Sequence, residues 1–306
     1  MGIVITTGKA RFRNVNLMTE NDWFAVYTVT STNYSRMRFY YTNNPPELSS
    51  LTYYYDVSAP VSAHGIAWSH DGRYFFQGTR NAIAFLRYDF PVTRRFTLQP
   101  FEDSPLPDIY VTAMPFMSSS PRDIIFRQDG RYVYVADSVL LSATYFQYTL
   151  SSPYGINSAS LIDAFSYSAA APAIYVSHDG TRLYTGKQVL ISPGPPALYN
   201  TYVLQWRLAT NYDLNSRIFE YEFDVRDILV TSFAPANISF SEDGRYCFLT
   251  NRFSRGWVNR FTLSTPWDLR TIVVSSPTDG FYFNESSGIG LKKAKLLDRD
   301  RVGILT

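Results

Sequence analysis

The sequence "ISFSEDGRYCFLT" at residues 238–250 has close copies at three other places in the chain. The copies are "IAWSHDGRYFFQG" from 66, "IIFRQDGRYVYVA" from 124 and "IYVSHDGTRLYTG" from 174. In each copy, alternating apolar residues lead into Asp-Gly, and an aromatic-rich segment follows. Alternation of period two predicts a strand with one buried face, and Asp-Gly predicts a tight turn because glycine adopts positive φ at little cost. Each copy therefore predicts a β-hairpin.

A second sequence pattern follows each hairpin and predicts a third strand that ends in a polar turn. Its copies are "MRFYYTNNPPEL" from 37, the shortened "FLRYDFPV" from 85, "YFQYTLSSPYGI" from 145, "LQWRLATNYDL" from 204 and "VNRFTLSTPWDL" from 258. We expect a fourth strand after each copy, in "LTYYYDV" from 51, "RFTLQPF" from 95, "SLIDAFSY" from 160, "RIFEYEFDV" from 217 and "TIVVSS" from 271. The repeated unit is thus four antiparallel strands.

Two weaker hairpins, "VNLMTENDWFAVY" from 15 and "AKLLDRDRVGIL" from 294, bring the predicted turns to six, near residues 21, 72, 130, 180, 244 and 299. Four-stranded units cannot bury their faces alone and stack radially. We therefore predict an all-β fold, a single β-propeller domain over residues 1–306 with six blades. The N-terminal "GIVITT" strand would pair with the hairpin at 294–305 and close the ring. The alternatives are chance Asp-Gly turns in a β-sandwich, and a short helix from residue 288.

Composition excludes several classes of function. The formal net charge of +2 argues against binding to nucleic acid, which requires a concentrated basic face. The one cysteine cannot form an internal disulfide. No apolar run approaches the length of a membrane span, and the N-terminus does not have the pattern of a secretory signal. We expect no partnership with nucleic acid or membrane.

The ionisable residues do not form a recognisable catalytic or metal-binding motif. His70 and His178 share one repeat position and are predicted to be exposed turn residues in nonadjacent blades, so they and His64 give no metal spacing. Turn chemistry accounts for the Asp-Gly carboxylates. Cys247 falls in an apolar strand column and is predicted to be buried. We expect no catalytic residues, no metal and no cofactor.

The "DGxxxYV…YxLSTPWDL" repeats, over roughly residues 11–280, resemble propeller repeats found in many tail and virion proteins of bacteriophages and in some bacterial surface proteins. The resemblance implies the propeller architecture and a place in a virion that is assembled in the host cytoplasm. It is weak for function, because propellers host unrelated activities.

The long connections between strands are the candidate contact sites. Loops of this length are uncommon in compact domains unless they contact something, and their Tyr, Trp and Arg content is typical of interfaces. Loops that join second and third strands emerge on one face of a propeller. The rim residues predicted to bind a partner there are Tyr34, Arg80, Lys187, Tyr199, Arg252, Arg255 and Trp257.

Three functions are compatible with this pattern. The first is a non-enzymatic structural protein of a bacteriophage, in the tail or on the capsid, that contacts other virion proteins or copies of itself. The second is a propeller of a phage tail or bacterial surface that binds a receptor or a host-surface glycan. The third is a lactonase-like enzyme, which requires metal-binding carboxylates and histidines near the central channel, and the sequence does not assemble these.

Overall fold

The structure is a computed structural model of the chain. It describes residues 4–6, 9–11, 24–30, 35–41, 52–59, 63–70, 74–79, 85–89, 110–112, 121–139, 142–167, 171–192, 198–225, 235–251, 257–273 and 280–282.

Within these residues, five antiparallel sheets of three or four strands follow one another in chain order, and within each sheet the strands are also in chain order. The first sheet has β3 (Phe24–Thr30), β4 (Ser35–Tyr41) and β5 (Thr52–Ala59). The second has β6 (Ala63–Trp68), β7 (Tyr74–Thr79), β8 (Phe85–Asp89) and β9 (Tyr110–Thr112). The third has β10 (Pro121–Phe126), β11 (Tyr132–Val139), β12 (Ser142–Leu150) and β13 (Ala159–Tyr167). The fourth has β14 (Ala171–Val176), β15 (Arg182–Ser192), β16 (Leu198–Leu208) and β17 (Arg217–Asp224). The fifth has β18 (Pro235–Phe240), β19 (Tyr246–Asn251), β20 (Trp257–Thr262) and β21 (Gly280–Tyr282).

The hydrophobic core lies in layers between consecutive sheets. One buried cluster joins the second and third sheets, another joins the third and fourth, and a further one joins the fourth and fifth. The inner strands β6, β10, β14 and β18 lie beside one another, and each carries a fully buried isoleucine at the same repeat position. These residues are Ile66, Ile124, Ile174 and Ile238. The architecture is therefore all-β and propeller-like, as the sequence predicts.

The predicted Asp-Gly turns at 130, 180 and 244 are confirmed. Gly130, Gly180 and Gly244 have φ of 68°, 71° and 70°, and each glycine N–H donates to the carbonyl three residues earlier. The second hairpin is also confirmed, because β6 pairs with β7 and the Ser69 N–H donates to the Tyr74 carbonyl at 2.9 Å. The predicted turns near 21 and 299 lie outside the described residues.

Some predicted strands lie elsewhere in the structure. The fourth strand of the second sheet is β9, which lies after the predicted segment from 95. The predicted segment itself lies outside the described residues. In the fifth sheet, the described part of "TIVVSS", residues 271–273, forms a bridge between Leu263 and Ile272 after a 3₁₀ turn. Residues 274–276 lie outside the described residues, and β20 pairs further along the chain with β21. The fourth strands from 160 and 217 are confirmed as β13 and β17.

The N-terminal strand pairs with a neighbour close in sequence. β1 (Val4–Thr6) and β2 (Lys9–Arg11) form a two-stranded antiparallel ribbon. Its predicted partner at 294–305 and the alternative helix from 288 lie outside the described residues. Described helices are single 3₁₀ turns, such as Leu214–Ser216, and no helix in the described ranges is long and apolar enough to span a bilayer.

The fourth sheet carries an extension that we call the arm, residues 187–192 of β15 and 198–201 of β16. Within the described residues, the two segments of the arm pair only with each other. β14 reaches no further along β15 than Gly186, and β17 reaches no further along β16 than Tyr202. From the sequence, residues 187–201 were expected to form one of the long connections between second and third strands. The strands instead extend into this segment, β15 as far as Ser192 and β16 from Leu198.

Candidate functional site

The Asp-Gly turn of a hairpin contacts the polar turn that follows the third strand of the same sheet. This contact holds the two turns together at one end of the sheet. In the third, fourth and fifth sheets the N–H of an aromatic residue donates to the carbonyl of the Asp-Gly glycine at 2.8–2.9 Å. The pairs are Tyr154 with Gly130, Tyr212 with Gly180, and Trp267 with Gly244. We call this contact the clasp.

Each clasp holds an aromatic residue in an uncommon backbone conformation. Tyr154, Tyr212 and Trp267 have φ of 59°, 66° and 65°, a region that costs an L-residue about 1–2 kcal/mol. The aromatic ring lies directly over the glycine: a Cβ on Gly130 would lie 2.5 Å from Cε2 of Tyr154. Glycine is therefore required at this position for two reasons: its φ is positive, and the aromatic ring occupies the space that a Cβ would need.

The clasp tyrosines also set the backbone beside the axis. The Tyr154 hydroxyl donates to the Gln128 carbonyl at 2.7 Å and accepts from the His70 N–H at 2.9 Å, so it links the third sheet to the second. The Tyr212 hydroxyl donates in the same way to the His178 carbonyl. These bonds position His70, Gln128 and His178, each of which precedes Asp-Gly in its copy.

The residues that precede Asp-Gly line a common cleft of about 160 Å³. The cleft lies where the inner strands end in their Asp-Gly turns. The imidazole rings of His70 and His178 are 6.4 Å apart between centroids, and the Gln128 Nε2 lies 2.7 Å from the His178 Nε2. Glu242 and Ser239 of the fifth sheet also line the cleft. The apolar wall includes Phe126, Tyr175 and Phe240.

This arrangement corrects the prediction for the histidines. They were expected to be exposed and separated on nonadjacent blades, but both are half-buried and face one cleft. Positions on nonadjacent sheets come together because the inner strands β6, β10 and β14 lie side by side. The signal in the sequence was the shared repeat position of His70, Gln128, His178 and Glu242, but its distance from the axis was not available from the pattern.

The charged groups near the cleft are mostly neutralised by neighbours. Asp129 accepts from the Arg127 Nε at 2.9 Å, and this side-chain bond raises the pKa of Arg127 and lowers that of Asp129. Asp129, Asp179 and Asp243 each accept the N–H two residues ahead at 2.9–3.1 Å, which is the turn role expected from the sequence. Within the described ranges, no group of three or more His, Cys, Asp or Glu side chains is placed to hold a metal ion.

A buried carboxylate joins three inner strands below the cleft. Asp123 is 0% exposed and accepts the Ile124 N–H at 2.9 Å, the Ile174 N–H at 3.0 Å and the Asn237 Nδ2 at 2.9 Å. It therefore ties the third, fourth and fifth sheets together at the axis. At the same repeat position the second and fourth sheets have small residues, Gly65 and Ala173. Gly65 packs so closely on the Asp123 backbone that a Cβ would lie 2.9 Å from the Asp123 Cα.

The predicted rim residues are described only in part. Lys187 and Tyr199 lie on the arm, and Trp257 begins β20. The Lys187 Nζ donates to the Glu222 Oε2 at 2.7 Å and lies 5.0 Å from the centre of the Tyr202 ring, so it is engaged within its own sheet. The other predicted residues, Tyr34, Arg80, Arg252 and Arg255, lie outside the described residues.

Cys247 lies where the sequence placed it. It is 1% exposed within the cluster between the fourth and fifth sheets, and burial raises the pKa of its thiol. The buried strand column is thus confirmed, and the expectation that the thiol is unreactive stays a prediction.

No family model matches the chain. No curated protein matches it either. Solved structures with a similar overall course include a hypothetical selenium-binding protein from Sulfolobus tokodaii, with a TM-score of 0.48 and 11% identity over 89% of this chain and 78% of that one. A candidate 6-phosphogluconolactonase from Bacteroides uniformis has a TM-score of 0.44 and 14% identity over 87% and 73%. The Cps50 (Swd1) beta-propeller domain from Myceliophteria thermophila has a TM-score of 0.37 and 10% identity over 88% and 70%. These likenesses are too low to carry an argument about function.

Proposed function

We propose that this chain is a non-enzymatic protein that acts by contact, as a structural component of a bacteriophage particle in the tail or on the capsid. Its partners are other virion proteins or further copies of itself. The observation that carries the contact role is the arm of the fourth sheet. The assignment to a phage particle rests on the resemblance of the repeated sequence patterns.

The arm presents apolar side chains to solvent on a strand pair that extends past its sheet. Val189, Leu190 and Ile191 are 40%, 43% and 54% exposed. Successive side chains of a strand point to opposite faces, so these three residues place apolar surface on both faces of the arm. Exposed apolar surface on a strand pair that extends past its sheet supports a role in contact with a partner. A neighbouring subunit that buried these side chains would gain about 25 cal/mol for each Å² of apolar area removed from water.

The ionisable residues of the repeats favour a structural role over catalysis. The Asp-Gly carboxylates are occupied by backbone N–H groups, and Arg127 is paired with Asp129. A catalytic carboxylate must instead have acceptor capacity directed at a substrate. These groups therefore act in folding.

We also propose that the chain forms a closed ring of six blades, with the N-terminal strand and the 294–305 hairpin in the sixth. Support comes from the order of the repeats, which leaves one hairpin at each end of the chain. Deleting residues 1–8 is then expected to lower the melting temperature of the whole domain, because it exposes a sheet edge. An unchanged melting temperature would contradict ring closure.

The particle assignment is tested by mass spectrometry and imaging of purified particles. The chain is expected in the particle at a fixed position and copy number. The contact surface is tested with the double variant Leu190→Ser and Ile191→Ser, which should fold normally and be lost from particles. The matched control is Ile218→Ser with Phe219→Ser, two exposed residues of the outer strand β17, which should assemble as wild type. Absence of the chain from purified particles would contradict the proposal.

A further inference from the structure

We propose that the arm binds the arm of a second copy of this chain, by antiparallel pairing of the two β15 segments across a two-fold axis. The proposal names the partner for the contact role given above and rests on that role. Its basis is the free edge of β15, the order of apolar and polar residues along this edge, and the absence of charge from the surrounding sequence.

The free edge of the arm belongs to β15. Within the described residues, β14 pairs with β15 only as far as Gly186, and residues 187–192 have β16 as their single strand partner. The β15 segment also carries the exposed aliphatic side chains, whereas Thr201 of the β16 segment is 1% exposed. The N–H and C=O groups at the edge of a sheet are a template for pairing with a strand of another chain. The β15 segment is therefore the part of the arm that a second strand can join.

The main chain of Leu190 points toward this free edge. Alternate residues of an antiparallel strand direct their N–H and C=O groups toward the same neighbour. The Arg182 carbonyl accepts the Ser177 N–H, from the chain just after β14, and so points to the β14 side of β15. The pairing of β15 with β16 keeps one register from Arg182 to Leu190, and its shift lies beyond, between Leu190 and Ser192. Gln188 and Leu190 therefore point to the same side as Arg182.

The residues of this edge are arranged to match a copy of themselves. Residues 188–192 read "QVLIS", a polar residue at each end and three apolar residues between them. Antiparallel pairing centred on Leu190 places Leu190 opposite Leu190 of the second copy. It also places Val189 opposite Ile191 of the second copy, and Gln188 opposite Ser192. Every exposed aliphatic side chain of the arm then gains an aliphatic cross-strand partner, and such pairs stabilise a sheet.

The absence of charge favours a second copy over a different protein. Residues 188–206 contain no Asp, Glu, Lys or Arg, although these residues make up 18% of the chain. In a two-fold contact the same patch is used on both subunits, so a charge near the axis would oppose a like charge. Interfaces between different proteins instead gain specificity from complementary charges. The Lys187 Nζ lies 2.7 Å from the Glu222 Oε2 and is thus neutralised within its own sheet.

The experiment measures the mass of the purified full chain by sedimentation over a range of concentrations. Paired edges of five residues form an interface below the roughly 1,200 Å² of stable complexes, so we expect a dimer at about 100 µM that dissociates at about 1 µM. Leu190→Lys and Leu190→Glu each place like charges opposite one another and should weaken dimerisation by about 100-fold or more. An equimolar mixture of the two variants should dimerise within about tenfold of wild type, because a lysine then lies opposite a glutamate.

The matched control is Ile218→Lys, which adds the same charge to an exposed residue of β17 and should dimerise as wild type does. A wild-type chain that is monomeric at about 100 µM, or a mixture that does not recover dimerisation, would overturn the proposal. Recovery in the mixture also shows that both variants fold.

Failure of this proposal can be told apart from failure of the contact role. A monomeric chain whose Leu190→Ser and Ile191→Ser double variant is still lost from particles would bind another virion protein through the arm, and only self-pairing would be overturned. A chain that dimerises and recovers in the mixture but is absent from particles would support self-pairing and contradict the particle assignment.

Discussion

The two ends of the fourth sheet differ in structure: one end has a contact that recurs in other sheets, and the other end has the arm. At the axial end, Gly180 and Tyr212 form a clasp that recurs in the third and fifth sheets with nearly the same φ angles. At the opposite end, β15 and β16 continue into an arm that has no described counterpart in the third sheet, where β11 and β12 pair up to Val139 and Ser142. The repeated end shows which contact three of the described sheets share. The arm, described in the fourth sheet, is where we propose that a partner binds.

The largest expected effect is at the clasp. Gly180→Ala would place an L-residue at φ of 71° and a Cβ against the Tyr212 ring. Left-handed backbone costs about 1–2 kcal/mol and overpacking about 1–3 kcal/mol, so we expect a loss of about 3 kcal/mol in the free energy of unfolding. Urea denaturation measures it. Thr181→Ala in the same turn loses only a hydroxyl bond to Asp179 and should cost about 1 kcal/mol. Equal losses in the free energy of unfolding for the two variants would contradict a particular role of the clasp in stability.

A smaller effect is expected where one clasp is tied to the preceding sheet. The buried Tyr184 hydroxyl donates to the Trp267 carbonyl, and burial raises the pKa of this phenol, so it remains a donor throughout the accessible pH range. Tyr184→Phe should lower the free energy of unfolding by about 1 kcal/mol. The column already contains Phe76 and Phe248 in other sheets, so the variant should fold. A loss as large as that of Gly180→Ala would mean that the bond between sheets, and not the turn, dominates this end.

Acid should weaken the clasp of the fifth sheet. Its Asp268 caps a 3₁₀ turn through the Arg270 N–H, and the side-chain bond to Arg270 lowers the pKa of this carboxyl below 3.8. A folded-state pKa below the unfolded value contributes stability above the unfolded pKa, and this is lost as the pH falls through the folded one. Asp268→Asn keeps the cap and removes the charge. We expect it to be less stable than wild type at neutral pH and to converge with it in strong acid. Parallel curves of stability against pH would contradict this assignment.

The smallest effect on the free energy of unfolding is expected on the arm. The same substitution, Ile→Val, made once on the arm and once in the buried core of the sheet tests this. Ile191→Val removes a methylene from a side chain that is 54% exposed, so the free energy of unfolding should change by less than about 0.5 kcal/mol. Ile174→Val removes the same group from a fully buried position and should cost about 1 kcal/mol. Chemical denaturation of the isolated chain gives both values. If Ile191→Val were the more costly of the two, the arm would be packed against the domain.

Local chemistry explains which features could be predicted from the sequence. The turns at Gly130 and Gly180 could be predicted because a preference for positive φ is a property of a single residue type. The burial of Cys247 could be predicted from the alternation of apolar residues along its strand. The clasp was not predicted, because its partners, such as Gly180 and Tyr212, are far apart in the chain and each looks like an ordinary turn residue. The meeting of His70 and His178 depends on how sheets are arranged around an axis, which no local pattern encodes.

The clasp also decides where this chain can accept foreign sequence. Since Gly180 and Tyr212 close the segment between them by their own contact, extra residues at the tip of the arm only enlarge a loop that is already closed. The entropic cost of such a loop grows with the logarithm of its length, by about 0.6 kcal/mol for each doubling. A peptide epitope or a small binding module grafted between Ser192 and Leu198 should therefore be displayed on the two paired strands of the arm, while the rest of the domain folds as before.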